Sequence, residues 1–137
     1  TGAATKSSQD RLRTKLEDNL DDIVQVENYR MEDAEFAVVA FGGAARSVYE
    51  AVDMARAEGL KVGFVRPITI WPFADKQIKE VASKVKGILV HELNCGQYVI
   101  EVERAVAGKV PVTLYGKYDN ESATPEELLA EIKKAMA

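Results

Sequence analysis

The side chains with the most reactive chemistry in this sequence lie in one short stretch, HELNCGQ, residues 91–97. His91 stands inside an apolar run, and Cys95 stands in a turn ahead of a predicted helix. An imidazole exchanges protons near neutral pH, and a thiol at a helix N-terminus is activated as a nucleophile. Neither has a partner at catalytic or metal-ligand spacing, since the chain contains one histidine and one cysteine. We therefore interpret His91 as a packed strand residue and expect Cys95 to be non-catalytic.

Glu92 follows His91 near the end of the same predicted buried strand. An ionised carboxylate in that position needs hydrogen bonds that replace its lost water. Two sources are open: the guanidinium of Arg66, or backbone N–H groups across the edge of the sheet. Either partner makes Glu92 structural rather than catalytic. No Ser-His-Asp set, acid pair or metal cluster emerges elsewhere, so we expect no catalytic, cofactor-binding or metal-binding residue in this chain.

The turn GGAAR, residues 42–46, joins a predicted strand to a predicted helix. Free backbone N–H groups at such a turn bind anions. The turn lacks the third glycine of the dinucleotide fingerprint, and Arg66 stands where that fingerprint has an acid. Tight turning explains the two glycines without a ligand. An independent small-molecule or nucleotide-binding module, with Gly42-Gly43 and Gly96 as an anion cradle, stays open as an alternative.

The stretch KVGFVRPITIWPF, residues 61–73, begins as a strand and leaves it through two prolines. Proline fixes its own φ and keeps the preceding residue extended, so the segment after the strand becomes a stiff loop. Its rings are good interface material, although packing back onto the sheet is equally open. At the carboxyl end of a parallel strand, this loop lies beside the 94–97 turn. We predict an interface made of Arg66, Trp71, Pro72, Phe73, Asn94, Gly96 and Gln97.

The elements that position these residues alternate between strand and helix. Continuous apolar runs of strand length predict buried parallel strands, and each is followed by a helical pattern. The predicted strands are 35–41, 60–65, 88–93 and 110–115, and the predicted helices are 44–58, 75–85, 97–107 and 126–136. This order predicts a three-layer α/β/α sandwich around a mostly parallel sheet of four or five strands.

The first thirty residues differ in pattern from the rest. Residues 1–8 are small and polar, which is typical of a disordered lead or linker. Residues 9–30 place Leu12, Leu16, Leu20 and Ile23 on one narrow stripe, which predicts a peripheral connecting helix from Asp10 to Tyr29. Residues 31–137 form the single α/β domain. Because the sequence begins without methionine, we expect it to be a piece of a longer polypeptide.

The composition narrows the function classes further. A net charge of −4 argues against a nucleic-acid partner, which requires a basic surface. No apolar run approaches the roughly 20 residues of a membrane span. A single cysteine suits a reducing compartment. We therefore expect a cytoplasmic protein that binds neither membranes nor nucleic acid.

Taken together, three blocks resemble one enzyme family. They are Gly42 with Ala45-Arg46-Ser47, the segment VGFVRPITIWPF at 62–73, and ELN-GQ at 92–97. From about Glu35 to Ala107 the chain resembles the C-terminal, transketolase C-terminal-like domain of the alpha subunit of 2-oxoacid:ferredoxin oxidoreductases, of the 2-oxoglutarate type. Ala74, where the family usually has proline, and Cys95, where it commonly has methionine, are mild departures.

The resemblance implies the whole enzyme's chemistry. Such enzymes decarboxylate a 2-oxoacid oxidatively to an acyl-CoA and reduce ferredoxin, using thiamine diphosphate, magnesium, coenzyme A and iron–sulfur clusters. No residue of this chain matches a family motif for those cofactors. The resemblance therefore implies a structural and assembly domain, whose partners are the N-terminal part of the same alpha subunit, the beta subunit and, for the complex, ferredoxin. A transketolase-type or pyruvate dehydrogenase-type domain shares the fold but not the block at 66–73.

Overall fold

A computed structural model of the protein describes residues 23–93, 96–117 and 123–137. Within these ranges the chain forms five strands, four α-helices and one short 3-10 helix, Gly42–Ala45, which leads into the first α-helix. The strands are β1 (Val26–Tyr29), β2 (Phe36–Ala40), β3 (Val62–Pro67), β4 (Ile88–Glu92) and β5 (Val112–Gly116). The helices are α1 (Arg46–Ala57), α2 (Asp75–Ala82), α3 (Gln97–Val106) and α4 (Pro125–Met136).

The strands form one sheet in the order β1-β3-β2-β4-β5. Strands β2 to β5 are parallel, with Val38 of β2 opposite Phe64 of β3 and opposite Leu89 of β4. The prediction of a mostly parallel sheet of four or five strands is confirmed. Strands β3 and β4 lie on opposite sides of β2, so the strand order changes direction beside the carboxyl end of β2. In open α/β sheets, this kind of switch point opens a crevice between the loops.

The prediction of a helix over residues 9–30 is wrong at its C-terminal end, where Val26–Tyr29 forms β1. This strand pairs antiparallel with β3, placing Val26 opposite Pro67 and Tyr29 opposite Phe64. The physical reason is a long-range one: the ladder supplies hydrogen bonds that the local apolar spacing does not reveal, and β1 covers the edge of β3. The predicted helix over 9–22 and the predicted lead over 1–8 lie outside the described residues.

The sheet has a hydrophobic layer on each face, as the predicted sandwich requires. On one face, α2 and α3 bury Ile78 and Val102 against Val39, Val65 and other strand residues. On the opposite face, α1 and α4 bury their apolar stripes, and the residues packed there include Val48, Val52, Leu128 and Ile132. Since the side chains of a strand alternate between the two faces of a sheet, successive residues of β4 pack alternately into the two hydrophobic layers.

The helix ends follow local signals that the sequence displays. Gly59, just after α1, has φ +84°, and its N–H donates to the Arg56 carbonyl oxygen at 2.9 Å, as in a left-handed helix cap. At the start of α4, the Thr124 hydroxyl accepts a hydrogen bond from the Glu127 N–H at 3.1 Å, and Pro125 follows the cap. None of the described helices combines the length and apolarity needed to cross a membrane.

Candidate functional site

A groove of about 340 Å³ opens at the carboxyl edge of the sheet, beside the switch point. It lies between the loop that follows β3 and the N-terminal turn of α3, and we call it the carboxyl-edge groove. Its walls are mainly aromatic and its polar side chains are acids or amides. The residues lining it are Phe41, Ile70, Trp71, Phe73, Glu92, Gln97, Tyr98 and Glu101.

The aromatic residues of the groove divide into a buried floor and an exposed wall. The Tyr98 ring lies 4.8 Å from the Phe41 ring and 5.1 Å from the Phe73 ring, centroid to centroid, in tilted contacts. Phe73 and Tyr98 are buried, whereas Trp71 is 77% exposed. Ring clusters of this geometry contribute rigid apolar surface. Of the predicted aromatic pair, one ring packs back onto the domain and the other stands in solvent.

Glu92 is 1% exposed and lies where β4 ends and α3 begins. Its Oε1 accepts a hydrogen bond from the Tyr98 N–H at 2.9 Å, and its Oε2 accepts one from the Val99 N–H at 2.8 Å. These are N–H groups of the first helical turn, which have no partner inside the helix and carry the positive end of its dipole. Of the two partners considered, Glu92 therefore uses backbone N–H groups and not Arg66.

The rim of the groove carries an acidic cluster with one cation. Arg104 donates to Glu101 through Nε at 2.9 Å and pairs with Asp75 through Nη1 at 2.9 Å. Its guanidinium also lies over the Phe73 ring, 5.6 Å from the centroid. Burial raises the pKa of the Tyr98 hydroxyl, and the carboxylates of Glu92, Asp75 and Glu101 raise it further. One guanidinium thus faces two carboxylates at this rim.

Arg66 lies away from the groove, although the prediction placed it in the interface. In the sheet it is opposite Glu27 of β1, and its Nη1 receives contact from the Tyr49 hydroxyl oxygen at 3.2 Å, to which it donates. Tyr49 in turn donates a short hydrogen bond to Glu27. Since β1 was missed, this cross-strand partner was missed as well. Arg66 therefore ties β3 to β1 and α1.

His91 is 1% exposed and belongs to the opposite face of the sheet from Glu92. Its Nδ1–H donates to the Tyr115 carbonyl oxygen at 2.8 Å, and the His91 and Tyr115 rings stack with centroids 5.3 Å apart. Burial lowers the pKa of the imidazole. Nε2 has no hydrogen-bond partner among the described residues. A neutral, packed imidazole fits the prediction that His91 is a strand residue of the core.

The structure brings together part of the predicted interface. Trp71 and Phe73 meet Gln97 in the groove, next to half-buried Pro72 and to Gly96. Asn94 and Cys95 lie outside the described residues. The sequence reasoning missed four lining residues: Phe41, Ile70, Tyr98 and Glu101. Phe41 ends a predicted strand, Ile70 lies in the loop after β3, and Tyr98 and Glu101 lie in the first two turns of the helix predicted at 97–107. The carboxyl-edge rule, extended along the elements that follow each strand, was the signal that would have found them.

The N-terminus of α3, which follows Gly96, does not support the anion site considered for the glycines. Gly96, at φ +78°, directly precedes α3, but the N–H groups of Tyr98 and Val99 already bind the Glu92 carboxylate. At the other glycines, residues 42–45 form the short 3-10 helix. An external phosphate at the α3 terminus would have to displace a buried internal carboxylate.

Metal ligands are equally sparse at this edge. In residues 23–93, 96–117 and 123–137, no three His, Cys, Asp or Glu side chains are grouped so that they could hold a metal ion. An iron–sulfur cluster takes several cysteine ligands, and the sequence contains one. The described residues therefore do not fit a resident metal or cluster.

Comparison with known proteins points to one family. Residues 34–128 match the family model described as pyruvate:ferredoxin oxidoreductase core domain II. A 2-oxoglutarate synthase subunit KorA from Methanothermobacter marburgensis is 38% identical over 122 residues, covering 89% of this chain and 32% of the relative. A ketoisovalerate oxidoreductase subunit VorB of the same organism is 35% identical over 111 residues, 81% of this chain and 31% of the relative. The chain spans about a third of the length of these curated relatives.

Two solved structures share the fold. A 2-oxoglutarate:ferredoxin oxidoreductase from Magnetococcus marinus, with 2-oxoglutarate, coenzyme A and succinyl-CoA bound, superposes with a TM-score of 0.83 at 23% identity, covering 98% of this chain and 24% of that one. A split-gene transketolase, an inactive β4 tetramer, gives a TM-score of 0.68 at 21% identity, covering 82% and 41%. The expected likeness to a transketolase domain is confirmed at the level of the fold.

Proposed function

We propose that this chain, which belongs to the pyruvate:ferredoxin oxidoreductase core domain II family, is the structural and assembly domain of the alpha subunit of a 2-oxoacid:ferredoxin oxidoreductase. The observation that carries the proposal is the family match over residues 34–128, which includes both edge segments that form the carboxyl-edge groove. The chain spans about a third of the length of these relatives, so the activity we propose belongs to the whole enzyme.

The reaction proposed for the whole enzyme is the oxidative decarboxylation of a 2-oxoacid to an acyl-CoA with reduction of ferredoxin. We favour 2-oxoglutarate as the substrate, in line with the relative named 2-oxoglutarate synthase subunit KorA. A relative named for ketoisovalerate matches nearly as well, at 35% against 38% identity. Since this domain is similar to nearly the same extent to relatives named for two different 2-oxoacids, we place the selection of the 2-oxoacid in other parts of the enzyme.

The cofactors proposed for the enzyme are thiamine diphosphate with magnesium, coenzyme A and iron–sulfur clusters. The described residues of this domain do not fit these cofactors. The N–H groups at the start of α3 already bind the Glu92 carboxylate, and Arg66 already contacts Tyr49 and Glu27. No step of the reaction is assigned to this domain. Its contribution is to position neighbouring polypeptide around the catalytic centre.

The proposed contacts run through the carboxyl-edge groove. Trp71 is 77% exposed, and three isoleucines of the loop after β3 and of α3 are exposed as well: Ile68, Ile70 and Ile100, at 47%, 43% and 62%. A cluster of large apolar side chains at one edge is typical of a surface that another chain covers. The partners we propose are the N-terminal part of the same alpha subunit and the beta subunit, with ferredoxin as partner of the assembled, cytoplasmic enzyme.

Co-expression with the remaining alpha-subunit segment and the beta subunit tests the proposal. We expect the tagged chain to recover both partners at fixed stoichiometry, and the assembly to reduce a viologen dye when supplied with 2-oxoglutarate and coenzyme A. Replacing the indole, Trp71→Ala, should weaken recovery at least tenfold, as for a central interface aromatic. The matched control is Lys109→Ala, an exposed position after α3 at the opposite edge of the sheet.

Two results would count against the proposal. Calorimetry on the chain alone is expected to show no binding of thiamine diphosphate with magnesium, so saturable binding would move the cofactor site into this domain. Failure of the wild-type chain to recover either partner, while it remains folded by circular dichroism, would remove the assembly role.

A further inference from the structure

The carboxyl-edge groove combines aromatic rings with carboxylates, and this combination is specific for one kind of side chain. Among the lining residues in the part of the chain that the structure describes, four are aromatic, two are carboxylates and none is a lysine or arginine. Aromatic faces attract cations through their quadrupole, and the attraction increases when the site excludes water. We propose that the groove receives an arginine side chain of the neighbouring polypeptide, flanked there by apolar residues. The inference rests on the proposed function, in which that polypeptide covers this edge.

The charge balance at the rim supports a cationic occupant. Arg104 is shared between Asp75 and Glu101, with one contact of 2.9 Å to each, so this cluster keeps a net negative charge. Glu92 adds a carboxylate to the groove wall. The same three carboxylates raise the pKa of the Tyr98 hydroxyl, in the floor of the groove, beyond the effect of burial.

Shape and exposure favour a guanidinium on a polypeptide over a free small cation. A guanidinium is planar, stacks on an aromatic face and donates several hydrogen bonds to carboxylates, so it matches exposed Trp71 standing beside Glu101. The apolar surface continues beyond the groove, because Ile100 lies on the same face of α3 as Gln97 and Glu101 and is 62% exposed. Apolar residues on either side of the arginine would cover that surface.

The single tryptophan of the chain is Trp71, so its fluorescence reports directly on the groove. The probes are the capped tripeptides Leu-Arg-Leu and Leu-citrulline-Leu, which differ by one charge at nearly constant shape. Titrated into the full chain, the arginine peptide should change Trp71 emission saturably, with an affinity at least fivefold higher than that of the citrulline peptide. The difference should shrink as the salt concentration increases, because screening weakens the charge contact.

Variants locate the binding on the groove. Glu101→Gln removes a charge from the rim and should lower the affinity for the arginine peptide at least threefold. Glu103→Gln makes the same change two residues further along α3, at an exposed position, and should leave the affinity unchanged. Equal affinity for the two peptides, no saturable change with the arginine peptide, or equal effects of the two variants would each overturn the inference.

These outcomes are separable from the proposed function. The peptide titration uses the chain alone, whereas the assembly experiment measures recovery of partner subunits. Partner recovery without any preference for arginine would leave the assembly role intact and reject only the occupant proposed for the groove.

Discussion

The Oε1 atom of Glu92 lies 2.9 Å from the backbone nitrogen of Tyr98, so the last residue of β4 caps the first turn of α3. The second oxygen takes the N–H of Val99 at 2.8 Å. One buried carboxylate thus holds the strand end and the helix start together, and it places the Tyr98 ring in the floor of the groove. The arrangement stabilises the charge through the helix dipole, with no cationic partner among the residues that the structure describes.

Replacing that carboxylate by an amide should destabilise the domain. In Glu92→Gln one oxygen becomes an NH₂ group that faces an N–H, so a buried donor loses its acceptor, and we expect a loss of about 2 kcal/mol in the free energy of unfolding. Urea denaturation followed by circular dichroism measures it. The exposed Glu103→Gln serves as the control and should stay within about 0.5 kcal/mol of wild type. Equal stability of both variants would mean that the Glu92 contacts do not stabilise the fold.

The single histidine should make the stability depend on pH. Burial holds the pKa of His91 below its usual 6.5, while Lys117 lowers it and Glu127 raises it to smaller extents. The unfolded chain takes up the proton first as pH falls, so this contribution is complete above about pH 6.5 and decreases below it. The slope is at most about 1.4 kcal/mol per pH unit.

Comparison with His91→Gln isolates this effect from the titration of carboxylates. The variant is expected to be less stable at pH 8, but its free energy of unfolding should fall less steeply than that of wild type between pH 6.5 and 5. Urea titrations at half-unit intervals measure both slopes. Parallel curves would show that His91 keeps a normal pKa in the folded protein.

Two glycines should respond differently to the same added methyl group. At Gly63 in β3, a Cβ would lie 2.8 Å from the Arg30 carbonyl oxygen and would overlap the Met31 sulfur, so Gly63→Ala should cost about 1–3 kcal/mol. At Gly43, the nearest atom would be the Leu93 Cδ1 at 3.9 Å. Gly43→Ala should therefore change stability by less than about 1 kcal/mol. Thermal and urea unfolding compare the two, and similar losses would contradict the close approach of the Arg30–Met31 segment to β3.

The two aromatic residues of the loop after β3 should affect different properties: Phe73 the stability of the domain, and Trp71 its association with partners. Phe73 is 6% exposed and packs on Tyr98, so Phe73→Ala should destabilise the domain by about 3–5 kcal/mol. Trp71 is 77% exposed, so Trp71→Ala should change the free energy of unfolding by no more than about 0.5 kcal/mol. Urea unfolding of both variants measures this, and a large loss from Trp71→Ala would mean that its indole packs on the domain.

Local sequence signals determined much of the architecture. Apolar runs such as FAVVA at 36–40 and ILV at 88–90 indicate strands buried on both faces, and these lie in β2 and β4. The Thr124-Pro125 start and the Gly59 end mark helix limits through backbone hydrogen bonding within a few residues. Because these signals involve residues a few positions apart, they can be identified in the sequence without knowledge of the tertiary structure. The motif blocks at 42–47, 62–73 and 92–97 likewise indicated the family.

Tertiary structure alone decided the rest, because it depends on partners far apart in sequence. Val26–Tyr29 becomes a strand since β3 offers it an open edge, and Glu27 of that strand then pairs with Arg66, which does not line the groove. Nothing local distinguishes Trp71 from Phe73, yet the contact with Tyr98 buries one ring and leaves the other in solvent. Glu92 accepts hydrogen bonds from N–H groups of α3, and not from Arg66, because α3 begins just after the end of β4. Which side chain is buried, and which hydrogen-bond partner it takes, depend on the packing of the folded molecule. The sequence pattern indicates only which partners are available.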